Sequence, residues 1–454
     1  MDHIHLARAL FGMSLGFHII FATLGVGIPF MVTIAEISYA LTGDSDYAVM
    51  AKRWTRGFTV LLAVGITTGT TVALQLSLLW PRFMQMVGQV LALPFVLEIF
   101  AFFVEALFMS IYVYAADRIP RGWRIVSVLL VAIGAAASAL LITDANAFMN
   151  SPQGFRIENG RAVDIHPWQA VFNPALPTSD WHVLMTAYMT VGFVTAAVAA
   201  YGLLKKSHTD RERRHQYKAL MLSLALGGFF GLVAAVSGDS AGKYLAKYQP
   251  EKLAVAEGLF QTQSHAPLVI GGWVSAQRQD VIGGIKVPDM LSWLATDRLD
   301  GVVKGLNDFP RDTWPPLFLH LLFDGMVGIG TLLIFFAIFA WLVKTLRKRR
   351  EFPFPKWMLV LTVLTGPLAV IAIELGWVYA CIGRQPWIVY HVMRTADAVT
   401  SSPYVGWMFF LFILLYTILA IGSITVLTAY FRHHPLTSDI DPTPVKARRA
   451  VWLP

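Results

Sequence analysis

Nine long apolar segments constrain the fold of this 454-residue chain more than any other feature of its sequence. A helix needs about 20 mainly apolar residues to cross the hydrocarbon core of a bilayer, and each segment is long enough to do so. Only 14% of the residues are charged, against about 25% in a typical soluble domain. The sequence therefore predicts an all-α polytopic membrane protein. The predicted spans are residues 9–40, 57–80, 92–116, 122–144, 182–204, 217–237, 317–343, 357–381 and 404–431.

The distribution of basic residues predicts the orientation of these helices. Lysine and arginine gather in every second connection: 41–56, the connection around Arg118, 205–216, 344–356 and the C-terminal tail. The positive-inside rule assigns such connections to the cytoplasm. We therefore expect the N-terminus outside and the C-terminus in the cytoplasm. Membrane topology thus accounts for the net charge of +8, and no nucleic-acid partner is expected.

The predicted spans divide the chain into one membrane domain with a large outer loop. Residues 1–237 hold helices one to six, 238–316 form an extracytoplasmic loop, 317–431 hold helices seven to nine, and 432–454 form a cytoplasmic tail. No strand or helix pattern is evident in the outer loop. Loops of this length without secondary structure are uncommon unless they are functional or disordered.

A small set of ionisable side chains is predicted at membrane depth. Such a residue costs roughly 2.5–3.5 kcal/mol there even on lenient insertion scales, so each is a candidate functional residue. His320 and Asp324 are four residues apart on one helix, which favours a buried ion pair over a ligand role for His320. The predicted set is His18, Glu98, Glu105, His182, His320, Asp324 and Glu374.

His182 and Met326 are both predicted in the outer half of the membrane, on different helices. A histidine and a methionine on facing helices make a six-coordinate, low-spin haem that transfers electrons. Taken singly, His182 also fits an interfacial histidine beside Trp181, and Met326 also fits an ordinary core methionine. His18 and Glu374 are predicted at a similar depth, where either could serve a haem with an open position.

Glu98 and Glu105 lie seven residues apart on the third predicted span. Seven residues make almost two full turns of a helix, so both carboxylates share one face. One buried glutamate could simply pair with a cation. Two aligned glutamates indicate a proton relay or a row of carboxylates facing a metal, and a relay is favoured over the structural role.

The run Glu374-Leu375-Gly376-Trp377, followed by Gly383-Arg384-Gln385-Pro386-Trp387, resembles the signature of subunit I of cytochrome bd-type quinol oxidases. Further matches extend along nearly the whole chain. They include 16–18 around His18, 98–105, 146–152, His182, 238–240, 252–257 and 326–328.

This resemblance implies a role for each candidate haem ligand. His182 and Met326 are expected to be the axial ligands of a low-spin haem b. His18 and Glu374 are expected to serve a high-spin haem b and a haem d, with the pairing left open.

The resemblance also implies roles beside the haems. Lys252 and Glu257 fall in the family's quinol loop, where Lys252 would hydrogen-bond a quinone oxygen and Glu257 would accept a quinol proton. Arg384 is expected to neutralise a haem propionate, with Trp387 packed beside it. Glu98 and Glu105 are expected to lie on a proton route near the haems.

The implied activity is that of a quinol:oxygen oxidoreductase in a prokaryotic cell membrane. Quinol would be oxidised at the outer face and oxygen reduced to water with protons from the cytoplasm, which separates charge across the membrane. A second multi-span subunit is expected, with a small single-span subunit as an open alternative. Two other functions also fit the residues: a haem-binding quinol reductase without oxygen chemistry, and a polytopic transporter.

Three features depart from the family pattern. Asp324 stands two residues before Met326, where well-studied members carry an arginine, so we expect a lower potential for the low-spin haem, with His320 as a compensating partner. The outer loop is of the short type, which predicts fewer contacts with quinone. Residues 394–399 are more similar to the cyanide-insensitive branch. The third cofactor is therefore expected to be haem d or a third haem b.

Overall fold

The computed structural model describes residues 3–116, 118–205 and 209–440. Helices make up most of this part of the chain. The helices are α1 (His3–Thr42), α2 (Ser45–Leu79), α3 (Pro81–Val87), α4 (Ala92–Ala115), α5 (Arg121–Asn150), α6 (Pro167–Val171), α7 (Trp181–Leu204), α8 (Asp210–Tyr248), α9 (Pro250–Ala256), α10 (Met290–Thr296), α11 (Leu319–Leu346), α12 (Lys356–Ile382), α13 (Thr395–Ala398), α14 (Val405–His433) and α15 (Leu436–Ile440). The strands are β1 (Arg156–Glu158), β2 (Arg161–Val163), β3 (Leu268–Ile270), β4 (Trp273–Ser275), β5 (Asp280–Ile282), β6 (Ile285–Val287), β7 (Trp387–Val389) and β8 (Met393–Arg394).

Within the described ranges, nine helices are long and apolar enough to cross a membrane: α1, α2, α4, α5, α7, α8, α11, α12 and α14. The fifth of these includes a π-helical turn, Leu176–Asp180, that leads directly into α7. The predicted all-α fold with nine membrane helices is therefore confirmed. The orientation of the two termini stays a prediction from the basic residues.

Eight of the nine predicted spans are shorter than the corresponding helices, and the greatest difference in length, at α8, changes a boundary. Residues 238–248 were expected to begin the outer loop, but they are the last turns of α8. These turns are polar, and Lys243 pairs with Asp239 one turn earlier, 2.7 Å away. Hydropathy therefore falls at 238 although the helix continues. At the other end of the chain, residues 441–454 of the predicted tail lie outside the described residues.

The outer loop is folded, contrary to the expectation of a segment without a strand or helix pattern. Strands β3 and β6 pair antiparallel and enclose a second antiparallel pair, β4 and β5. The apolar side chains Val274 and Val281 of the inner pair are buried in one core with α9 and the nearby ends of α8, α11 and α12. Three glycines with positive φ, Gly271, Gly272 and Gly283, make the connections between the two pairs. The strands are three residues each, too short for their alternation to stand out in the sequence.

α7 lies at the centre of the bundle and packs against α8, α12 and α1. It contacts α8 backbone to backbone, because a Cβ on Gly192 would lie only 2.5 Å from Gly227 Cα. Small residues allow this kind of close helix contact in membranes. By contrast, fewer than one in five residues in the apolar windows of α2, α4, α11 and α14 are buried within the described chain. Their exposed faces are suited to lipid or to a second membrane subunit.

Candidate functional site

A cavity of about 460 Å³ lies between α7, α8, α11 and α12, at the end of the bundle that carries the folded loop. His182 on α7 and Met326 on α11 both line it. Lys252 and Glu257 line the same cavity from the loop side. The structure therefore brings together four residues that the sequence placed in two separate predicted sites.

The hydrogen bonds of His182 define which of its ring nitrogens is free. Nδ1 lies 3.0 Å from Ser237 Oγ, and the Ser237 hydroxyl donates to the Ala234 carbonyl at 3.1 Å. Because the hydroxyl has one proton and uses it there, its oxygen accepts from Nδ1–H. Nε2 is then left with a free lone pair, which is the form of histidine that binds a metal. Gly238 gives the ring space, since a Cβ there would lie 3.2 Å from His182 Cε1.

Met326, like His182, lies beside a glycine of a neighbouring helix. A Cβ on Gly376 of α12 would lie 2.8 Å from Met326 Sδ, so only glycine lets the thioether rest against that helix. Among the described residues, no group of three or more His, Cys, Asp or Glu side chains is arranged to hold a metal ion. The donor set at this cavity is one imidazole and one thioether, which fits the axial ligands of a haem.

His18 on α1 is oriented in the same manner by α2. Its Nδ1 lies 2.9 Å from Thr68 Oγ1, and that hydroxyl donates to the Val64 carbonyl at 2.8 Å. By the same proton count, His18 Nε2 keeps its lone pair. Gly69 follows Thr68, and a Cβ there would lie 3.0 Å from His18 Cε1.

Glu374 on α12 contacts α1 at Gly16, whereas the His18 ring packs against α2. Glu374 Oε2 is 3.3 Å from the position that a Cβ on Gly16 would take, two residues before His18. Its Oε1 is buried and has no hydrogen-bond partner among the described residues. An unpartnered buried carboxylate oxygen is costly, so a bound group is a reasonable occupant for this position.

Glu98 and Glu105 face α5 from α4, as their spacing predicts. Glu98 Oε1 accepts a hydrogen bond from Ser138 Oγ at 2.8 Å. Glu105 is buried beside Gly134, where a Cβ would lie 2.9 Å from Glu105 N, so α4 and α5 are in close contact at this level.

The row of polar side chains on one face of α4, formed by Glu98 and Glu105, continues to Tyr112. Tyr112 follows Glu105 by seven residues, and its hydroxyl donates to Glu36 Oε1 at 2.8 Å. Arg124 binds the other oxygen of Glu36 through Nε at 3.1 Å and Nη2 at 2.8 Å. This cluster joins α1, α4 and α5 and lies at the end of α4 opposite Glu98.

Lys252 and Glu257 are buried, with only 6% and 4% of their surface exposed. Lys252 Nζ donates to the Ala380 carbonyl at 3.1 Å. Burial, with Arg384 nearby, lowers the pKa of Lys252 to about 7. Burial, with a smaller contribution from the Asp324 carboxylate, raises the pKa of Glu257 to about 8. Both groups can therefore exchange protons close to neutral pH.

The Gly383–Trp387 motif supports this loop from α12. A Cβ on Gly383 would lie 2.7 Å from Lys252 Cε, so the glycine makes room for the lysine. Arg384 is buried, its Nη1 donates to Asn146 Oδ1 at 2.9 Å, and its Nε has no partner in the described part of the chain. Trp387 donates its backbone N–H to the Arg384 carbonyl at 3.0 Å, while its ring lies 5.3 Å from the Arg394 guanidinium.

A sequence model of one family, described as cytochrome bd terminal oxidase subunit I, matches residues 6–435. The chain belongs to this family. It is thus an oxidoreductase of the cytochrome bd quinol oxidase type, and the transporter alternative is set aside.

Relatives of this cytochrome bd subunit cover almost its full length. A protein of Bacillus subtilis (strain 168), named provisionally as a cytochrome bd menaquinol oxidase subunit I, is 52% identical over 97% of this chain and 99% of its own. A cytochrome bd ubiquinol oxidase subunit 1 of the same organism is 31% identical over 93% and 90%. The solved bd oxidase of Geobacillus thermodenitrificans is 47% identical, covers 96% of this chain and 99% of its own, and superposes with a TM-score of 0.90.

Several residues of this cytochrome bd site were not found from the sequence. Ser237 and Thr68 orient the two histidines, and Gly376 makes room for Met326. A signal was present, because a hydroxyl residue followed directly by glycine occurs at both 68–69 and 237–238. Hydroxyls inside membrane helices usually bond only to their own backbone, so this signal is not specific without the fold.

Proposed function

We propose that this subunit oxidises quinol beside Lys252 and Glu257, at the outer face, and takes part in reducing oxygen to water. The observation that carries the proposal is the shared cavity, which is lined by both loop residues and by His182 and Met326. A quinol bound next to the loop would therefore lie close to the proposed electron acceptor.

His182 and Met326 are the proposed axial ligands of the low-spin haem b, because one lone pair of each is free and each side chain has a glycine beside it. His18 and Glu374 are proposed to serve the high-spin haem b and a third haem, which is haem d or haem b. Bound haem supplies electron transfer at the first site and oxygen reduction at the second. Arg384 is proposed to hold a haem propionate through its unpartnered Nε.

Quinol oxidation releases two protons along with its electrons, and Glu257 is proposed to accept one of them. The ionised Glu257 carboxylate accepts a proton from a quinol hydroxyl, and the protonated Lys252 donates a hydrogen bond to a quinone oxygen. A base whose pKa lies near the working pH is well matched to this task. The pKa of about 8 for Glu257 meets that condition.

Protons for water formation are proposed to enter from the cytoplasm along α4. Glu105 and Glu98 provide two proton-accepting groups on one helix face. Charge is separated because these protons are taken up from the cytoplasm while the quinol protons are released outside. Proton uptake in vesicles containing the oriented complex tests this direction. Uptake from the outer side would overturn it.

The exposed apolar faces of α2, α4, α11 and α14 support the proposal that a second multi-span subunit joins this chain in a prokaryotic cell membrane. A small single-span subunit is an open addition. The reduced-minus-oxidised optical spectrum of the purified complex is the primary test. Haem b bands with a far-red band indicate haem d, and haem b bands alone indicate the haem-d-free type. A spectrum without haem would refute the proposed function.

A further inference from the structure

His320, at the start of α11, is completely buried, with 0% of its surface exposed. Its Nδ1 lies 2.6 Å from the Ala256 carbonyl oxygen, and its Nε2 lies 3.0 Å from the Gly271 carbonyl oxygen. Asp324 Oδ2 is also 3.4 Å from Nε2, so the predicted contact between His320 and Asp324 is present. Every one of these neighbours is an acceptor, and a neutral imidazole has only one N–H. Each contact is a hydrogen bond when the ring nitrogen that makes it carries the proton.

The two carbonyl groups belong to parts of the quinol loop that are distant in sequence. Ala256 ends α9 and directly precedes Glu257, and Gly271 lies in the connection between β3 and β4. α11 holds Gly271 a second time, because Asp324 Oδ2 accepts the Gly271 N–H at 2.5 Å. One turn of α11 therefore binds both polar groups of a single backbone position.

The strands held in this way pack directly on the residue after Glu257. A Cβ on Gly258 would lie 2.3 Å from Val281 Cγ2 and 3.3 Å from Val274 Cγ2. No space is left for the inner strand pair to move toward Glu257. Displacement of these strands from α11 would therefore shift Glu257 relative to the cavity.

We propose that His320, paired with Asp324, is a positioning residue that fixes Glu257 and the strands of the quinol loop against the helix that carries Met326. The proposal rests on the proposed function for the roles of Glu257 and Met326, but the contacts themselves do not depend on it. His320 is not proposed to contact quinol or haem. It determines where the loop meets the bundle.

Two variants separate this role from general packing. His320→Leu removes both ring nitrogens and leaves two buried carbonyl groups without partners, which is a costly state. His320→Gln keeps an amide that can donate, so its effects should be smaller. His265→Leu is the matched control, because it removes another histidine–aspartate contact in the same loop, between His265 and Asp289 at 3.1 Å, where the histidine is exposed.

The test combines hydrogen exchange with quinol kinetics on the purified, haem-loaded complex. For His320→Leu we expect amide exchange in 256–287 to rise by roughly tenfold or more, with exchange in α4 and α5 unchanged. We also expect a higher KM for quinol with a smaller change in kcat and an intact low-spin haem spectrum. His320→Gln should give intermediate values, and His265→Leu should match the wild type.

Wild-type exchange in 256–287 and a wild-type quinol KM in His320→Leu would overturn the proposal. A uniform rise in exchange along the whole chain would overturn it as well, because that result indicates general destabilisation. If His320→Leu does not assemble, His320→Gln carries the same comparison. A wild-type complex that does not oxidise quinol would refute the proposed function, while the exchange data would still decide the positioning role.

Discussion

His182 and His18 lie in different parts of the bundle, yet a hydroxyl on a neighbouring helix orients each of them and a glycine borders each ring. Their surroundings differ beyond the ring. His182 faces a cavity that Met326 lines from the other side. His18 packs against α2, and Glu374, the other residue of its predicted pair, contacts α1 at Gly16 and has one unpartnered oxygen. The same pairing of a hydroxyl with a glycine thus leaves Nε2 free in both histidines. The sites differ in their second proposed donor, which is the Met326 thioether at the electron-transfer site and the Glu374 carboxylate at the oxygen site.

The largest expected effect comes from removing either imidazole. His182→Ala should abolish the low-spin haem bands, whereas His18→Ala should keep them and lose a high-spin haem. Both variants should consume no oxygen with quinol as donor, because the electron path is broken in each. Optical spectra and oxygen-electrode assays of the purified complexes check this. Low-spin bands that persist in His182→Ala would contradict the ligand role of His182. His265→Ala, which removes an exposed histidine, is the control.

Glu374→Gln tests the other residue that is proposed to serve the high-spin haem and the third haem. The amide keeps the shape of the side chain and removes the negative charge, so we expect less high-spin haem per complex and oxygen consumption lower by roughly tenfold or more. The low-spin bands should be unchanged. Haem analysis and oxygen consumption provide the measurements. A full haem complement with normal activity would assign the ligand role to another residue.

The two orienting hydroxyls should have smaller and separable effects. Ser237→Ala should weaken haem retention at the His182 site, and Thr68→Val at the His18 site, each by about 10–100-fold, which is typical for the loss of a hydrogen bond to a metal-bound histidine. Haem titration of the apo-complex, followed at low-spin and high-spin wavelengths, distinguishes the sites. Equal loss of haem from both sites in either variant would show that the two hydroxyls do not act independently.

The smallest expected effect is on pH dependence at the loop end of the cavity. In the proposed mechanism, activity needs Glu257 ionised and Lys252 protonated. It should rise with pH as Glu257 loses its proton and fall as Lys252 loses its own, with a maximum between the two pKa values of about 7 and about 8. In Lys252→Gln the fall at high pH should disappear, and the rise should centre at about 8. Quinol oxidation rates across this range measure it, and an unchanged bell-shaped profile would exclude Lys252 from the step.

The nine membrane helices could be predicted because length and hydropathy alone determine which segments can span a bilayer. The ends of the helices could not, since polar turns such as 238–248 remain helical outside the apolar core. His182 and Met326 were identified through the family resemblance, and the fold then placed them on one cavity. Their glycine neighbours depend on which helices pack together, which a single sequence does not specify.

The burial of Lys252 and Glu257 could not be predicted from the sequence either. On its own the segment is that of an exposed polar loop. In the fold, Ala380 and Gly383 lie against Lys252, and Val274 and Val281 pack on Gly258, the residue after Glu257. The Tyr112–Glu36–Arg124 cluster was missed for a related reason. Its three side chains come from three helices, and only Tyr112 continues the seven-residue spacing of Glu98 and Glu105.

α8 has 39 residues, from Asp210 to Tyr248. At 1.5 Å per residue it is roughly 58 Å long, whereas the hydrocarbon core of a bilayer is about 30 Å thick. A rod of this length, clamped backbone to backbone against α7 at Gly192 and Gly227, must project beyond the lipid. The C-terminal end of α8, where the outer loop begins, therefore extends past the apolar core. A quinol dissolved in the membrane would then reach the proposed binding residues, Lys252 and Glu257, from the lipid side.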